Sequence, residues 1–271
     1  MSENNLRYCL ILEYIGTEFA GSQRQPDVNT VQSEIEKAIK QILQKDIKVI
    51  FSGRTDKGVH ARGQVLHFDV NQELDTKKFA YALNSVLPEQ ISVRNIQQVD
   101  KRFHSQKSAE YRWYQYTINN RLQRSVWLDQ TSMHIKDELN IEAMQKTLSY
   151  LVGERDFTSF KASNSANPAK ICNMIYASCE ENSGIIKINL IANRFLYNMV
   201  RIIIGTLLQI GKGAYTPEHV LKVLEAKDRK CAGPTAEAKG LTLMKVGYSE
   251  KYNIKMTMEK RNNENILSKA S

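Results

Sequence analysis

Gly53-Arg54-Thr55-Asp56-Lys57-Gly58-Val59-His60-Ala61 is the stretch on which the reading of the chain turns. It is polar, holds two glycines and lies between two strand-like runs, Ile47 to Ser52 and Gln64 to Val70. The segment from Gly53 to Gly63 is longer than a tight hairpin requires, and long polar connections held by a sheet often carry function. Taken alone, Asp56-Lys57-Gly58 is an ordinary turn sequence, in which Asp bonds to nearby backbone and Gly accepts positive φ.

Working outward, Tyr8 to Ile15 is almost entirely apolar and rich in aromatic and β-branched residues, as in a strand buried on both faces or nearly so. Asn29 or Thr30 can cap a helix after it. Val31, Ile35, Ala38, Ile39, Ile42 and Leu43 recur at helical spacing, while Glu34, Lys37 and Lys40 fall elsewhere. A second helix is expected over Thr76 to Leu87, ending at Pro88, and a strand over Ile91 to Val99. Further strands are expected at Tyr111 to Ile118, Met174 to Ser178, Ile185 to Ile191 and Leu241 to Val246. Helices are expected at Ile141 to Val152, from Phe195 to about Gly211, and from Thr216 with Pro217 in its first turn. The resulting domains are 1–107, which carries the Asp56 loop, and 108–248, followed by a polar tail, 249–271, with no assigned role. The two halves have similar contents but no residue-level repeat.

Composition bounds the function. With 271 residues, 42% of them hydrophobic, the chain is an ordinary globular protein of two modest domains or one large one. Lys and Arg number 38 against 29 Asp and Glu, a formal charge of +9 that makes a polyanion a natural partner. Cys9, Cys172, Cys179 and Cys231 have no C-x-x-C spacing, and Met1 to Tyr8 has neither an apolar signal core nor a transit-peptide composition, which reads as reduced thiols in a cytoplasmic protein. The longest apolar run, Ile202 to Leu208, is interrupted by Gly205 and Thr206 and falls far short of the roughly 20 residues of a membrane-spanning helix. His60, His67, His104, His134 and His219 form no metal-ligand pattern, so no metal is expected. Gly205 to Gly213 fails as a phosphate loop, because Gly213 stands where Ser or Thr is required.

The whole string GRTDKGVHARGQVLHFD, residues 53–69, resembles the signature of the tRNA pseudouridine synthase A family. The likeness extends, in order, over most of the chain. Gly16-Thr17-Glu18-Phe19-Ala20-Gly21, Gln23, Gln25 and Thr30-Val31-Gln32 are similar to the family's opening, and Phe103-His104 and Tyr114-x-Tyr116 to its central strand. Phe157-Thr158-Ser159-Phe160, Phe195 to Gly205 with Met199-Val200-Arg201, and Gly240-Leu241 are similar to its second half. Two positions depart: Ser22 stands where the family usually has Trp, and Lys170 where an Arg is common before Ile171.

The resemblance implies an α/β fold of the α+β kind with a mixed, largely antiparallel sheet, in which two related domains flank a basic cleft. It implies isomerisation of uridine to pseudouridine at positions 38 to 40 of the tRNA anticodon stem-loop, by a homodimer without metal or organic cofactor. Asp56 would be the nucleophile that divides one difficult step into two through a covalent intermediate. Arg201, at the position of the family's active-site arginine, would be the permanent cation that keeps a desolvated Asp56 ionised. Tyr114 would stack on the target uracil with its hydroxyl near C5. Arg54 would assist in turning the nucleotide out of its stack and contact phosphate. His60 could touch the RNA backbone and Leu241 line the pocket, although a loop histidine is more often a hydrogen-bonding residue and Leu241 serves packing equally well. The rivals are the same chemistry on another RNA such as ribosomal RNA, a tRNA-binding protein without catalysis, and a hydrolase of the glycosidic bond. For the last, no second acidic motif that would hold a water is present.

Overall fold

The structure, a computed structural model, describes residues 5–164 and 168–255; the end of the polar tail, 256–271, lies outside them. These residues form two compact units, one of 5–110 with 243–255, the other of 111–164 with 168–242.

The first unit is built on β1 (Leu6–Tyr14), whose residues Tyr8 to Leu12 are all buried. Next come α1 (Val31–Leu43), β2 (Ile50–Phe51), β3 (His60–Val70), α2 (Thr76–Val86) and β4 (Ile91–Val99). β1 pairs antiparallel with β3 on one side and with β4 on the other. Thr30 is the cap of α1, and its side chain and that of Ser33 satisfy one another's backbone amides in a capping box. Val31, Ile35, Ala38 and Ile39 are the buried stripe of this helix, each large side chain contributing on the order of 1.5–3 kcal/mol of burial.

Where elements differ from expectation, the backbone bonds give the reason. The run expected over Ile47 to Ser52 pairs only at Ile50 and Phe51, because α1 side chains take up the preceding backbone: Val49 N–H donates to Glu36 Oε1 at 3.2 Å and Gln32 Nε2 donates to the Val49 carbonyl at 3.3 Å. β3 instead starts four residues early, at His60, since Ala61 pairs with Tyr14. The connection between paired strands is correspondingly shorter.

In the second unit β5 (Ala109–Asn119), which belongs to it from Tyr111 onward, is followed by β6 (Met133–His134), α3 (Ile141–Ser149), β7 (Gly153–Asp156), β8 (Ile171–Asn182), β9 (Ile185–Ala192), α4 (Met199–Gly211) and α5 (His219–Ala226). The antiparallel order is β5-β9-β8-β7, with β6 alongside β5 in parallel. Trp113 Nε1 and Gln115 Nε2, from β5, both donate to Asn189 Oδ1 on β9 at 3.1 and 2.9 Å, so cross-strand polar contacts fix this register. α4 begins at Met199 rather than Phe195, because Asn198 sits in the left-handed region at φ 59°. α5 begins at His219; Thr216, Pro217 and Glu218 make the tighter bonds of one residue to the third beyond it. β10 (Leu241–Tyr248) closes the order of elements, and from Leu243 onward it belongs to the first unit, beside β3.

After β10 the chain is bound by side chains of β4. Asn95 Nδ2 donates to the Lys255 carbonyl and Gln97 Nε2 to the Asn253 carbonyl, at 2.8 and 2.9 Å, while Lys255 N–H donates to Gln97 Oε1 at 2.9 Å. The Tyr252 ring meets that of Phe103 edge-on at 5.3 Å. No helix among the described residues is long and apolar enough to cross a membrane.

His67, on β3, is 1% exposed and lies 4.8 Å from the His104 ring, with Nδ1 within 2.8 Å of Ser105 Oγ. Burial, then the charge of Arg7 and the neighbouring His104, hold its pKa down to about 4 from the usual 6.5, against an opposing pull from Asp69. The folded imidazole thus resists a proton that the unfolded chain accepts, so stability is full above the unfolded value and is lost as pH falls from about 6.5 to about 4. Between pH 7 and pH 5 the unfolding free energy is expected to fall by about 2 kcal/mol. Denaturant titration at both pH values, repeated on His67→Gln, checks this: the variant loses the larger share of the difference.

Candidate active site

The loop between β2 and β3 is held at three points by the first unit's own backbone and buried polar side chains. At its start, Gln64 Nε2 donates to the Gly53 carbonyl at 3.1 Å, while Gln64 Oε1 accepts from Ser52 Oγ at 2.7 Å and from Val65 N–H at 3.1 Å. At its centre, Thr55 is 6% exposed: its N–H donates to Ser22 Oγ at 2.8 Å, its carbonyl accepts from Ser22 N–H at 3.0 Å, and its hydroxyl lies 2.8 Å from the Tyr14 hydroxyl. At its end, His60 is 2% exposed and its Nδ1 accepts from Gly16 N–H at 3.0 Å. A ring nitrogen that accepts is unprotonated, so this contact specifies the tautomer with hydrogen on Nε2.

Asp56 lies between these anchors and is half-buried, whereas Arg54, two residues earlier, is exposed. Asp56 opens a turn closed by Val59 N–H donating to its carbonyl at 3.1 Å, with Gly58 at φ +78°. The tripeptide is thus a turn, and the turn presents Asp56 from a rigid base. Tyr14, whose burial pushes the phenol pKa up to about 12 despite its bonds to Thr55 and Gln64, remains a neutral hydrogen-bonding group within that base.

The second unit positions the other expected residues. Tyr114 is half-buried on β5 opposite Leu190, and its ring meets that of Phe195 edge-on at 5.2 Å and 90°. Its neighbours Trp113 and Tyr116 are fully buried, Tyr116 donating its hydroxyl to the Glu237 carbonyl at 2.8 Å. Arg201 is half-buried in the first turn of α4. Its Nε donates to the Ala236 carbonyl at 2.7 Å and Nη1 to Asn198 Oδ1 at 3.2 Å, while its own carbonyl accepts from Ala236 N–H at 3.0 Å. A cation at a helix start opposes the helix dipole, and these oxygen partners offset that and fix the direction of the guanidinium. Leu241 is 5% exposed at the head of β10.

Arg54, Asp56 and His60 therefore share one loop of the first unit, and Tyr114, Arg201 and Leu241 are side chains of the second. Sequence reading missed Tyr14, Thr55 and Gln64, and it noted Ser22 only as a departure. The partners of these contacts are 11 to 50 residues apart, which local periodicity does not reveal.

The first unit presents a half-buried carboxylate on a pinned turn, and the chain as a whole carries a formal charge of +9. Comparison with known proteins is specific. A family model described as tRNA pseudouridine synthase matches residues 10–106 and 148–249; Asp56 falls in the first segment, Arg201 and Leu241 in the second, and Tyr114 between them. The tRNA pseudouridine synthase A of Brevibacillus brevis is 42% identical over 238 residues, covering 88% of this chain and 98% of the relative. Those of Thermoanaerobacter sp. and Vibrio vulnificus are 42% identical over 239 residues, covering 88% and 98%, and 40% identical over 249 residues, covering 92% and 94%. The chain belongs to the tRNA pseudouridine synthases, a family of isomerases.

The opening motif and the loop also meet through Gly16, where a Cβ would lie 2.0 Å from the Val59 carbonyl oxygen. Gly16→Ala is expected to shift Val59, three residues after Asp56, and to cost about 2 kcal/mol or more. Turnover per folded molecule should fall further than the melting temperature alone accounts for, as thermal melts and active-fraction assays would show.

Proposed function

We propose that this enzyme isomerises uridine to pseudouridine in the anticodon stem-loop of tRNA, with Asp56 as the nucleophile. The observation that carries the reading is the family match on both segments, combined with the buried pinning of the one loop that bears an aspartate in the family's signature string. The N1–C1′ bond breaks and a C5–C1′ bond forms: an Asp56 oxygen bonds to one of the two fragments, base or sugar, while the site holds the other, and is released as the rejoined nucleoside loses its proton from C5 and N1 gains one. Arg201, already oriented by Ala236 and Asn198, supplies the permanent positive charge that keeps a carboxylate ionised out of water. Tyr114, steadied by Phe195, offers its ring to the uracil and its hydroxyl to the proton at C5. Exposed Arg54 contacts phosphate and fills the stack vacated by the flipped nucleotide. His60 serves the site through the loop it holds, and Leu241 lines the uracil pocket or serves packing within its own unit.

The chain is read as a cytoplasmic homodimer that needs neither metal nor organic cofactor, with the excess of Lys and Arg supplying the grip on tRNA. Incubation with unmodified tRNA transcript, followed by carbodiimide treatment and primer extension, should place pseudouridine in the anticodon stem-loop. Asp56→Ala should form none while binding tRNA within about threefold of the wild-type affinity, since phosphate contacts dominate binding. Release of free uracil would instead indicate a hydrolase, and modification of ribosomal RNA alone would move the substrate. Arg201→Lys keeps the charge but not the planar fork, and should lower kcat at least about tenfold, measured under single turnover.

A further inference from the structure

Ser22, one of the two positions at which the sequence departs from the pattern it resembles, is completely buried against the loop that carries Asp56. Its oxygen accepts the Thr55 N–H and its own N–H donates to the Thr55 carbonyl, so one residue grips the two peptide planes on either side of Thr55, the second of which leads into Asp56. Ser22 is itself fixed: its carbonyl accepts from Gln32 N–H, the second residue of α1, at 3.0 Å. That amide belongs to the first turn of the helix and has no partner within it. A chain of hydrogen bonds thus runs from the start of α1 through Ser22 and Thr55 to the peptide that carries Asp56. An indole offers a donor and no acceptor, so Trp at this position could not receive the Thr55 amide.

We propose that Ser22 is a positioning residue for the pseudouridylation reaction: its hydroxyl oxygen, by holding the Thr55 amide, sets the backbone from which the Asp56 carboxylate is aimed. The inference rests on the reading of Asp56 as nucleophile. Covalent attack is sensitive to displacements on the order of 1 Å, whereas tRNA binding through dispersed phosphate contacts is not. Removing the oxygen leaves a buried amide unpaired and lets the 54–56 backbone reorient, which disturbs the single phosphate contact proposed for Arg54 and leaves the dispersed contacts of the other Lys and Arg residues in place.

The test is Ser22→Ala, assayed on tRNA transcript for kcat and KM, with peptide-resolved hydrogen exchange of the 53–59 loop and a thermal melt. The expected result is a kcat about tenfold lower, a KM within about twofold of wild type, and faster exchange confined to the loop. An unchanged kcat overturns the proposal. So does a loss of activity that merely follows a lowered fraction of folded protein, with exchange raised throughout the first unit. If the alanine variant does not fold, Ser22→Cys, which fills nearly the same space with a weak acceptor, is measured in the same way and should show a smaller loss of the same kind. Asp56→Ala run in parallel separates the two failures. Should that variant remain active, the nucleophile assignment fails; should it be inactive while the Ser22 variants turn over normally, only the positioning role fails.

Discussion

The loop of residues 53–60 depends on one constraint: its buried polar groups, Thr55 and His60 above all, must find partners outside the loop, and the hydrogen bonds that satisfy them fix the backbone that carries the half-buried Asp56. Withdrawing a loop from solvent strands its backbone polar groups, each costing on the order of 1–3 kcal/mol if unpaired. Here the Gly53 carbonyl is paired with Gln64 and the amide and carbonyl of Thr55 with Ser22, while the Thr55 hydroxyl and the His60 ring are paired with Tyr14 and Gly16, all outside the loop. The opening motif of the family signature and its aspartate string, far apart in the chain, are thus two faces of one hydrogen-bonded object. Their joint presence in the sequence has a mechanical reason.

The second unit treats Arg201 in the same manner. A left-handed Asn198 stops the preceding segment from continuing as helix, so that Arg201 falls in the first turn of α4 and not in its middle. There the guanidinium spends two donors on fixed oxygens of Ala236 and Asn198. An arginine so restrained loses little freedom when it meets an anion, which is the advantage of a planar fork over a flexible ammonium. Tyr114 is similarly limited by the edge-on ring of Phe195.

Much of this fold could be read from spacing, because most elements bury one periodic face. The strand Ile91–Val99 and the starts of α1, α2 and α3 stand where hydrophobic period and capping residues put them. Errors concentrated where side chains compete with the ladder. Glu36 and Gln32 take the backbone of Val49 and shorten β2, and Asn198 adopts a conformation that no hydrophobic pattern signals. Of the candidate site, the string around Asp56 was conspicuous as a motif, and Tyr114 and Arg201 stood out through resemblance. The supports were not legible: Gln64 read as the first residue of a strand, Tyr14 as one more apolar strand position, and Ser22 as a mere substitution. Each acts on a partner fixed only by tertiary structure.

The arrangement at β4 has a bearing on how the protein behaves in a crowded cell. An outermost strand with vacant amides and carbonyls invites pairing with a strand of another molecule, the first step of aggregation. The stretch from Asn253 to Lys255 is tethered to this strand by the carboxamides of Asn95 and Gln97, which hold it alongside β4 through side chains, with no backbone bond to the strand among the described residues. Shortening the protein before Asn253 would strip Asn95 and Gln97 of these partners and leave β4 more open to a strand of another molecule, without any change to the buried core.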